Sequence, residues 1–449
     1  MTKAKRKTST QVQAKQRLRT TKTTTPQDIS QIQALLEASQ KRENALRAEG
    51  RYQEALDICL QITGAYPQVA GPWLNAAINY VMLTRWQEAI HHAQAALKLN
   101  SNDLGIYDAL AHAHGALEEW DEARRYGLQA LDIRAKKFGG EPVLAWPNPP
   151  PLPPPPSAQT RERNLIAFSL FGRDSKYCET AIVNVQEQPD VYPYWTCRFY
   201  VDDSVPDKVI ARLTKDGAQI VPVKGAAAEW PGPMWRLLAL DDPQVHRILF
   251  RDADSIISRR EAAAVDEWLT SGKRFHIMRD WGSHTELMLA GLWGMVAGSL
   301  PPLDALMQRF MSTPLESQHF ADQYFLRQYV WPYARASLMQ HDSLFGFMDA
   351  VPFPDRERRK LFHVGCLEAL VIGVKTNLPD GTEATWKLFR LEQSPDGQSQ
   401  ETLVCAYHGV VKDGEVRAYI PKRYAQWIEE KTALVRLVEN DGAGGQARV

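Results

Sequence analysis

The stretch Arg85-Trp86-Gln87-Glu88-Ala89 decides the fold of the first third of the chain, because close copies of it lie 34 residues to either side. Arg51-Tyr52-Gln53-Glu54-Ala55 precedes it and Glu119-Trp120-Asp121-Glu122-Ala123 follows it. Each unit has the pattern of two amphipathic helices, with a small alanine where neighbouring helices must approach closely. Such a helix pair cannot bury its apolar face alone. The period therefore predicts a stack of helix pairs over residues 28–138 with a concave groove.

The repeat resembles the tetratricopeptide repeat. The resemblance covers about residues 30–137 and includes the junction Ala96-Leu97-Lys98-Leu99-Asn100-Ser101-Asn102-Asp103. It implies that the groove docks a protein partner. The alternative is a solenoid that only braces the neighbouring domain or forms a dimer.

Two segments of biased composition flank the repeats. Residues 1–27 carry eight Lys or Arg and no acid within the first 25 positions. They have little to bury, so we expect a disordered basic tail, which either solubilises the chain or touches anionic lipid or nucleic acid. Nine prolines between residues 142 and 156 predict an extended polyproline II spacer across 139–160.

Bulk composition limits the classes of function. The 449 residues hold 53 basic and 53 acidic side chains, and nothing in that balance indicates nucleic-acid binding. Five widely separated cysteines predict neither a zinc ribbon nor a disulfide framework, and they favour a cytoplasmic protein. The most apolar stretch, Leu287 to Leu300, is shorter than the ~20 residues that span a bilayer. The N-terminal sequence lacks the apolar core of a secretion signal.

Short apolar runs alternate with helix-like stretches between residues 161 and 380. Strand candidates lie at 165–170, 197–201, 219–223 and 247–250. This alternation predicts an α/β domain with a mostly parallel sheet, in which ligands bind beyond the carboxyl ends of the strands. Residues 381–449 predict a small β-rich appendage that closes with a helix at 423–438.

Two carboxylates directly follow the fourth strand candidate, in Arg251-Asp252-Ala253-Asp254-Ser255. Residues i and i+2 of an extended chain share a face, so both carboxylates can reach one cation. Oxygen ligands suit Mn²⁺ or Mg²⁺, whose remaining ligands are water and substrate phosphate. The alternative is a pair of solvated turn aspartates. Arg236 and Arg251 could bind phosphate oxygens in bidentate fashion, or could form structural ion pairs.

Several further motifs follow one another between residues 234 and 294: Met234-Trp235-Arg236, Arg260-Glu261, Ala264-Val265 with Trp268, Met278-Arg279-Asp280 with His284, and Gly291-Leu292-Trp293-Gly294. With the Asp-x-Asp stretch they resemble bacterial glycosyltransferases of the GT-A fold from surface-polysaccharide loci. Asp322-Gln323 and His363-Val364-Gly365 then follow in the order of the Asp-Gln and His-x-x-Gly elements of glycogenin-like retaining transferases. The resemblance spans about 163–366, although the histidine element here is His-x-Gly and lacks the usual Lys-Pro-Trp after it.

The resemblance implies a metal site and a site for a nucleotide-sugar donor. Asp254 would coordinate the cation, and Asp252 would coordinate it too or hold the ribose. His363 would be the third ligand, with His341 as its rival. Gly365 would let the backbone approach the phosphates.

The resemblance also implies the groups around the transferred sugar. Gly291 and Gly294 would form the floor under the sugar, or else a packed core loop. Asp280 and His284 would contact the sugar or deprotonate the acceptor. Asp322 is a second candidate for that role, and Gln323 is assigned to the donor site.

The resemblance thus implies a metal-dependent glycosyltransferase in polysaccharide biosynthesis, which the cysteine pattern leads us to expect in the cytoplasm. It would move sugar from a nucleotide-diphosphate donor to a glycan or protein acceptor, while its repeats dock a partner or the acceptor. Two alternatives stay open. One is a non-enzymatic scaffold with a degenerate transferase domain, and the other is a phosphoryl- or nucleotidyl-transfer site at Asp252 and Asp254.

Overall fold

The computed structural model describes residues 26–146, 149–315, 317–355, 363–393, 399–439 and 447–448. The basic tail expected at the N-terminus lies almost entirely outside these ranges. Contacts divide the chain into two compact units. Of the described residues, those up to Gly140 form the first unit together with the segments 279–287 and 342–350. Those within 141–278, 288–341 and 351–449 form the second unit.

The first unit is built on an array of α-helices, as the 34-residue period predicts. In the described residues these are α1 (Pro26–Ala48), α2 (Tyr52–Ala65), α3 (Ala70–Met82), α4 (Trp86–Leu99), α5 (Leu104–Ala116) and α6 (Trp120–Phe138). The repeated alanines Ala55, Ala89 and Ala123 are all fully buried. Only a methyl group fits where neighbouring helices come this close, which explains why alanine recurs there.

The turn inside each helix pair also repeats every 34 residues. Gly50, Thr84 and Glu118 all have positive φ, at 74°, 56° and 61°. In each turn the following backbone N–H donates five residues back, as from Arg85 to the Tyr80 carbonyl at 2.9 Å. This is the Schellman cap that ends a helix with one left-handed residue. Glycine supplies that residue in the first repeat alone, so the turns at Thr84 and Glu118 are strained.

The main sheet of the second unit has the strand order β3-β2-β1-β4-β6-β5-β7. Its strands are β1 (Asn164–Leu170), β2 (Thr196–Val201), β3 (Gln219–Pro222), β4 (Arg247–Phe250), β5 (Phe275–Arg279), β6 (Trp293–Val296) and β7 (Leu338–Asp342). The first four of these strands pair in parallel. Strand β6 runs antiparallel to both β4 and β5, so the sheet is mixed.

Helices of the second unit connect these strands. They are α7 (Ser175–Val191), α8 (Asp207–Lys215), α9 (Arg259–Thr270), α10 (Leu303–Met311), α11 (Ala321–Phe325) and α12 (Trp331–Ala334). A 3₁₀ helix, Gly232–Asp241, precedes β4. In the described ranges no helix is both long and apolar enough to cross a membrane.

The C-terminal region forms an antiparallel sheet in the order β13-β12-β9-β10-β11-β8. Its elements are β8 (Ala369–Lys375), β9 (Glu383–Gln393), β10 (Ser399–Lys412), β11 (Glu415–Pro421), α13 (Lys422–Glu429), β12 (Ala433–Glu439) and β13 (Ala447–Arg448). The closing helix predicted for 423–438 is wrong in its second half. Lys431 has a φ of 56°, which stops the helix. From Ala433 onward buried and partly exposed side chains alternate, as in a half-buried strand.

The proline-rich segment, predicted as an extended spacer between domains, belongs from Glu141 onward to the second unit and makes hydrogen bonds within it. Arg247 donates to the carbonyls of Pro153 and Pro154 at 2.7 and 2.6 Å, and Arg274 donates to that of Pro150 at 2.7 Å. An extended proline run leaves its carbonyls without internal hydrogen bonds. These carbonyls are therefore available to accept hydrogen bonds from Arg247 and Arg274.

Candidate functional site

Arg236 lies at the centre of a charged cluster at the carboxyl end of β4. Its guanidinium donates to Asp252 Oδ1 at 2.7 Å, to Asp322 Oδ2 at 2.6 Å and to the Arg251 carbonyl at 2.6 Å. Arg236 is 3% exposed. Burial opposes its charge, but Asp252 and Asp322 outweigh burial and raise its pKa. The residue predicted to bind phosphate thus forms an ion pair with two aspartates.

The Asp-x-Asp carboxylates differ in their surroundings. The side chain of Asp252 is 49% exposed, whereas that of Asp254 is 25% exposed and lies 3.2 Å from Lys176 Nζ. Burial raises the pKa of Asp254, and the negative charge of Asp252 raises it further, against the opposing charge of Lys176. The two carboxylates are therefore close enough to repel each other.

Lys176 was not predicted from the sequence. It is the second residue of α7, just after the loop that leaves β1, and β1 pairs in parallel with β4. The carboxyl ends of adjacent parallel strands meet at one edge of the sheet, so the loop after β1 lies beside Asp254. That strand pairing is the signal that would have revealed Lys176.

The Asp-Gln pair organises the loop before β6. Asp322 is buried, and burial raises its pKa although Arg236 opposes the shift. Gln323 donates to the Met288 carbonyl and accepts from the Ala290 N–H. These contacts fix the backbone that leads into Gly291, where any Cβ would overlap the carboxylate of Asp252. Gly291 therefore permits the Asp252 position.

Two other predicted donor-site residues lie in packed surroundings. Arg251 is buried and donates to Glu261 at 2.9 Å, which is the structural ion pair left open as its alternative role. Gly294 lies in β6, where a Cβ would meet the side chain of Leu249 and the carbonyl of Ile248. Glycine at this position therefore lets β6 pack closely against β4.

The two rival histidines differ in location. His341 is fully buried between His276, at 2.8 Å, and Glu267, at 3.0 Å, and it does not pair with the neighbouring Asp342. His363 is partly exposed, and its Nδ1 lies 3.1 Å from the Val364 carbonyl. Gly365 has a φ of 79° and packs against Leu292. The Leu361-Phe362 pair before His363 falls outside the described residues.

Asp280 and His284 belong to the first unit. Both are buried, and the Asp280 N–H donates to His284 Nδ1 at 2.9 Å. Their predicted contacts with sugar or acceptor stay a prediction.

The last helix pair of the array contacts the two segments that join it in the first unit. Arg134 of α6 donates twice to Asp108 of α5, at 2.9 and 2.7 Å, and lies 3.2 Å from Glu286. Thr285 donates to the same aspartate at 2.7 Å. A Cβ on Gly282 would lie 2.6 Å from the Ala111 carbonyl, so the 279–287 segment touches the backbone of α5.

The donor set fits a divalent cation only in part. Asp252 and Asp254 offer hard oxygen ligands, and a cation would relieve their mutual repulsion. Within the described ranges, however, no three His, Cys, Asp or Glu side chains gather as a metal site would require. His363 is thus not brought to the two carboxylates, so water and substrate oxygens would have to complete the coordination.

Comparisons with known proteins match the helical array. A model of the tetratricopeptide repeat family matches residues 104–150, which begin with α5 and α6. Over 104 residues the chain is 32% identical to a DnaJ homolog subfamily C member 7 homolog of Schizosaccharomyces pombe. That match covers 22% of this chain and 22% of the relative, so only about a fifth of the relative's length is spanned.

Two solved structures are also similar to the array. The Arabidopsis OM64 TPR domain shares 18% identity at a TM-score of 0.22, over 22% of this chain and 83% of that one. The TPR2B domain of yeast Sti1, in its pHsp70 complex, shares 19% identity at a TM-score of 0.22, over 23% and 82%. It is the family match at residues 104–150 that makes the N-terminal array tetratricopeptide-like, as the 34-residue period predicts.

Proposed function

We propose that the protein binds a partner protein through its tetratricopeptide array. The observation that carries this proposal is the family match at α5 and α6, within an array whose turns and buried alanines repeat every 34 residues. Stacked helix pairs of this kind present a continuous concave surface to a ligand. The contacts of the 279–287 segment described above fall on α5 and α6, so we assign partner binding to α1–α4.

Exposed apolar side chains on α1–α4 provide the test. Leu35 is 46% exposed and Met82 is 47% exposed. The tagged protein, purified from its own cells, should carry a stoichiometric partner that Met82→Glu removes and the matched control Gln94→Glu, at an exposed polar residue of α4, retains. If Met82→Glu retains the partner, or if the wild-type protein carries no stoichiometric partner, the assignment is wrong.

A second candidate function is glycosyl transfer from a nucleotide-diphosphate sugar, and the Arg236 cluster favours it. The cluster lies where open α/β sheets bind ligands, beyond the carboxyl end of β4. A divalent cation, when bound, would neutralise charge on the departing diphosphate. Asp252 and Asp254 would hold that cation.

The chain's own residues would order this site. Arg236 fixes Asp252 and Asp322 by direct ion pairs. Gln323 holds the backbone of the loop, and Gly291 leaves space for the Asp252 carboxylate. The reaction would thus take place in a site whose ligands are positioned before the donor arrives. A cytoplasmic location, where nucleotide sugars are made, belongs to the same proposal.

One experiment separates this candidate from a scaffold with a degenerate transferase domain. The pure protein is incubated with a panel of nucleotide sugars and Mn²⁺, and release of nucleotide diphosphate is measured. Asp254→Asn should abolish release, whereas Asp304→Asn, at an exposed residue of α10, should not. No binding or release with any donor would leave the scaffold function, and turnover of a nucleoside triphosphate instead would favour phosphoryl or nucleotidyl transfer.

A further inference from the structure

A cavity of about 550 Å³ lies between the proline-rich segment and the start of β5. Trp146 and Pro149 line it from the proline-rich segment, and Arg274, Tyr333 and Ser337 line it from the other side. All of these residues belong to the second unit. Sites for small organic molecules have volumes of roughly 300–1,000 Å³. The cavity is therefore large enough for such a ligand.

Hydrogen bonds fix the proline-rich segment beside the cavity. The Tyr333 hydroxyl donates to the Leu144 carbonyl at 2.8 Å and accepts from the Leu144 N–H at 3.0 Å. The indole of Trp146 donates to the Gly298 carbonyl at 2.9 Å. These two aromatic side chains of the cavity wall are thus held in position before a ligand arrives, which lowers the cost of binding.

Arg274 supplies the positive charge of the cavity wall. Its guanidinium donates to the Pro150 carbonyl at 2.7 Å and to the Ser299 hydroxyl at 3.4 Å, which leaves further N–H donors for a ligand. Both of these partners are neutral, and no carboxylate of the described residues forms an ion pair with Arg274. The wall also contains Glu141, whose side chain is exposed.

The cavity is separate from the Arg236 cluster. Strand β6 runs antiparallel to both β4 and β5, so β4 and β5 run in the same direction. Arg274 directly precedes β5 and therefore lies at the edge of the sheet opposite to the carboxyl end of β4. A ligand in this cavity would not touch the site proposed for a nucleotide-sugar donor.

We propose that this cavity binds a small aromatic carboxylate. Arg274 would take the carboxylate in the bidentate fashion that a guanidinium allows. It is the only basic residue of the described wall, so a monoanion fits better than a dianionic phosphate. The ring of the ligand would pack against Trp146 and Tyr333, because flat apolar groups form favourable stacked or edge contacts with aromatic side chains. An uncharged ring of the same shape would cover Arg274 without supplying an anion, so the cavity should select for the negative charge.

Calorimetric titration of the full-length chain with 2-naphthoate and with its uncharged analogue 2-naphthamide tests the site. Wild type should bind 2-naphthoate at least about tenfold more tightly than 2-naphthamide. Arg274→Met should remove that preference, whereas Lys273→Met, at the exposed neighbouring lysine, should keep it. Trp146→Ala should weaken the binding of both compounds. Glu141→Gln removes a negative charge from the wall and should not weaken the binding of 2-naphthoate.

Three results would overturn the proposal. They are equal affinity of wild type for the two compounds, an unchanged preference in Arg274→Met, and no saturable binding of 2-naphthoate at millimolar concentration. Arg274→Lys keeps the positive charge and should retain part of the preference, which keeps the test valid if Arg274→Met is damaged. Thermal unfolding of each variant identifies such damage.

Discussion

His276 Nε2 lies 2.8 Å from His341 Nδ1, which joins strands β5 and β7 through a hydrogen bond between two fully buried imidazoles. His341 Nε2 lies 3.0 Å from Glu267, whose carboxylate accepts the proton of that nitrogen. Burial lowers the pKa of His341 and so favours its neutral form, in which Nδ1 accepts the hydrogen bond and His276 Nε2 donates it. Both rings are neutral in this arrangement. The ring of His276 also stacks on that of Trp268, with 5.6 Å between the ring centroids.

The free energy of unfolding should fall as the pH drops below about 6.5. Burial lowers the pKa of His276 well below its usual 6.5, the proximity of His341 and Arg251 lowers it further, and burial also lowers the pKa of His341. Below pH 6.5 the unfolded chain then binds protons that the folded chain does not. Stability from the neutral pair is complete above that pH and is lost as the pH falls toward the lower pKa values that the two imidazoles have in the folded chain.

Urea unfolding at about pH 7.5 and about pH 5.5 measures this loss. His276→Phe keeps an aromatic ring on Trp268 and should show a weaker pH dependence than wild type. His91→Gln, at an exposed histidine of α4, should keep the full dependence. An equal dependence in wild type and His276→Phe would contradict the prediction.

Thr84→Gly should stabilise the array. Thr84 is exposed and has a φ of 56°, a conformation that a β-branched residue adopts only with strain. Glycine relieves that strain but costs more backbone entropy on folding. The net effect should raise the free energy of unfolding by about 0.5–1 kcal/mol. The equivalent Gly50 has a φ of 74° and open space around it, so Gly50→Thr should destabilise by a similar amount. Chemical denaturation of both variants checks the opposite signs.

Glu179 joins the main sheet's helices to the C-terminal sheet, and its loss should destabilise the second unit. The fully buried carboxylate accepts from Arg212 at 2.8 and 3.0 Å, from Tyr407 at 2.6 Å and from Tyr424 at 3.1 Å. Glu179→Gln removes the charge that compensates Arg212 and should cost about 3 kcal/mol. Tyr407→Phe removes one hydrogen bond and should cost about 1–2 kcal/mol. Equal costs for the two variants would show that the charge is not what matters.

His363 and His341 can be separated as metal ligands by one titration. His341 is committed to His276 and Glu267, so His341→Ala should leave Mn²⁺-dependent binding of nucleotide diphosphate within about threefold of wild type. The structure does not bring His363 to the two carboxylates, so His363→Ala should also leave this binding within about threefold, and a loss of about 10–100-fold would instead make His363 the third ligand. No effect from either variant would leave a two-carboxylate site completed by water.

Sequence reasoning succeeded where the signal was local. The runs at 165–170 and 247–250 are strands in the structure, and the 34-residue period marks both the helices and their left-handed turns. It failed where a contact depends on distant chain. Lys176 meets Asp254 because β1 pairs with β4, and the 279–287 segment, with Asp280 and His284, groups with the array through long-range contacts such as that of Gly282 with Ala111. Nothing in the residues around positions 282 or 111 reveals that complementarity in advance.

Gly291→Ala should remove donor binding while leaving the fold intact. Gln323 holds the loop from Met288 to Ala290 in place, so the backbone at Gly291 cannot retreat from an added methyl group. The half-exposed Asp252 carboxylate must move instead, which strains its ion pair with Arg236.

We therefore expect Mn²⁺-dependent affinity for a nucleoside diphosphate to fall at least about tenfold in Gly291→Ala, with a thermal midpoint close to that of wild type. Gly71→Ala, where an added Cβ meets no neighbour, is the matched control. Unchanged affinity in Gly291→Ala would mean that the Asp252 carboxylate can move without consequence, and Asp252 would then have no part in holding the cation or the donor.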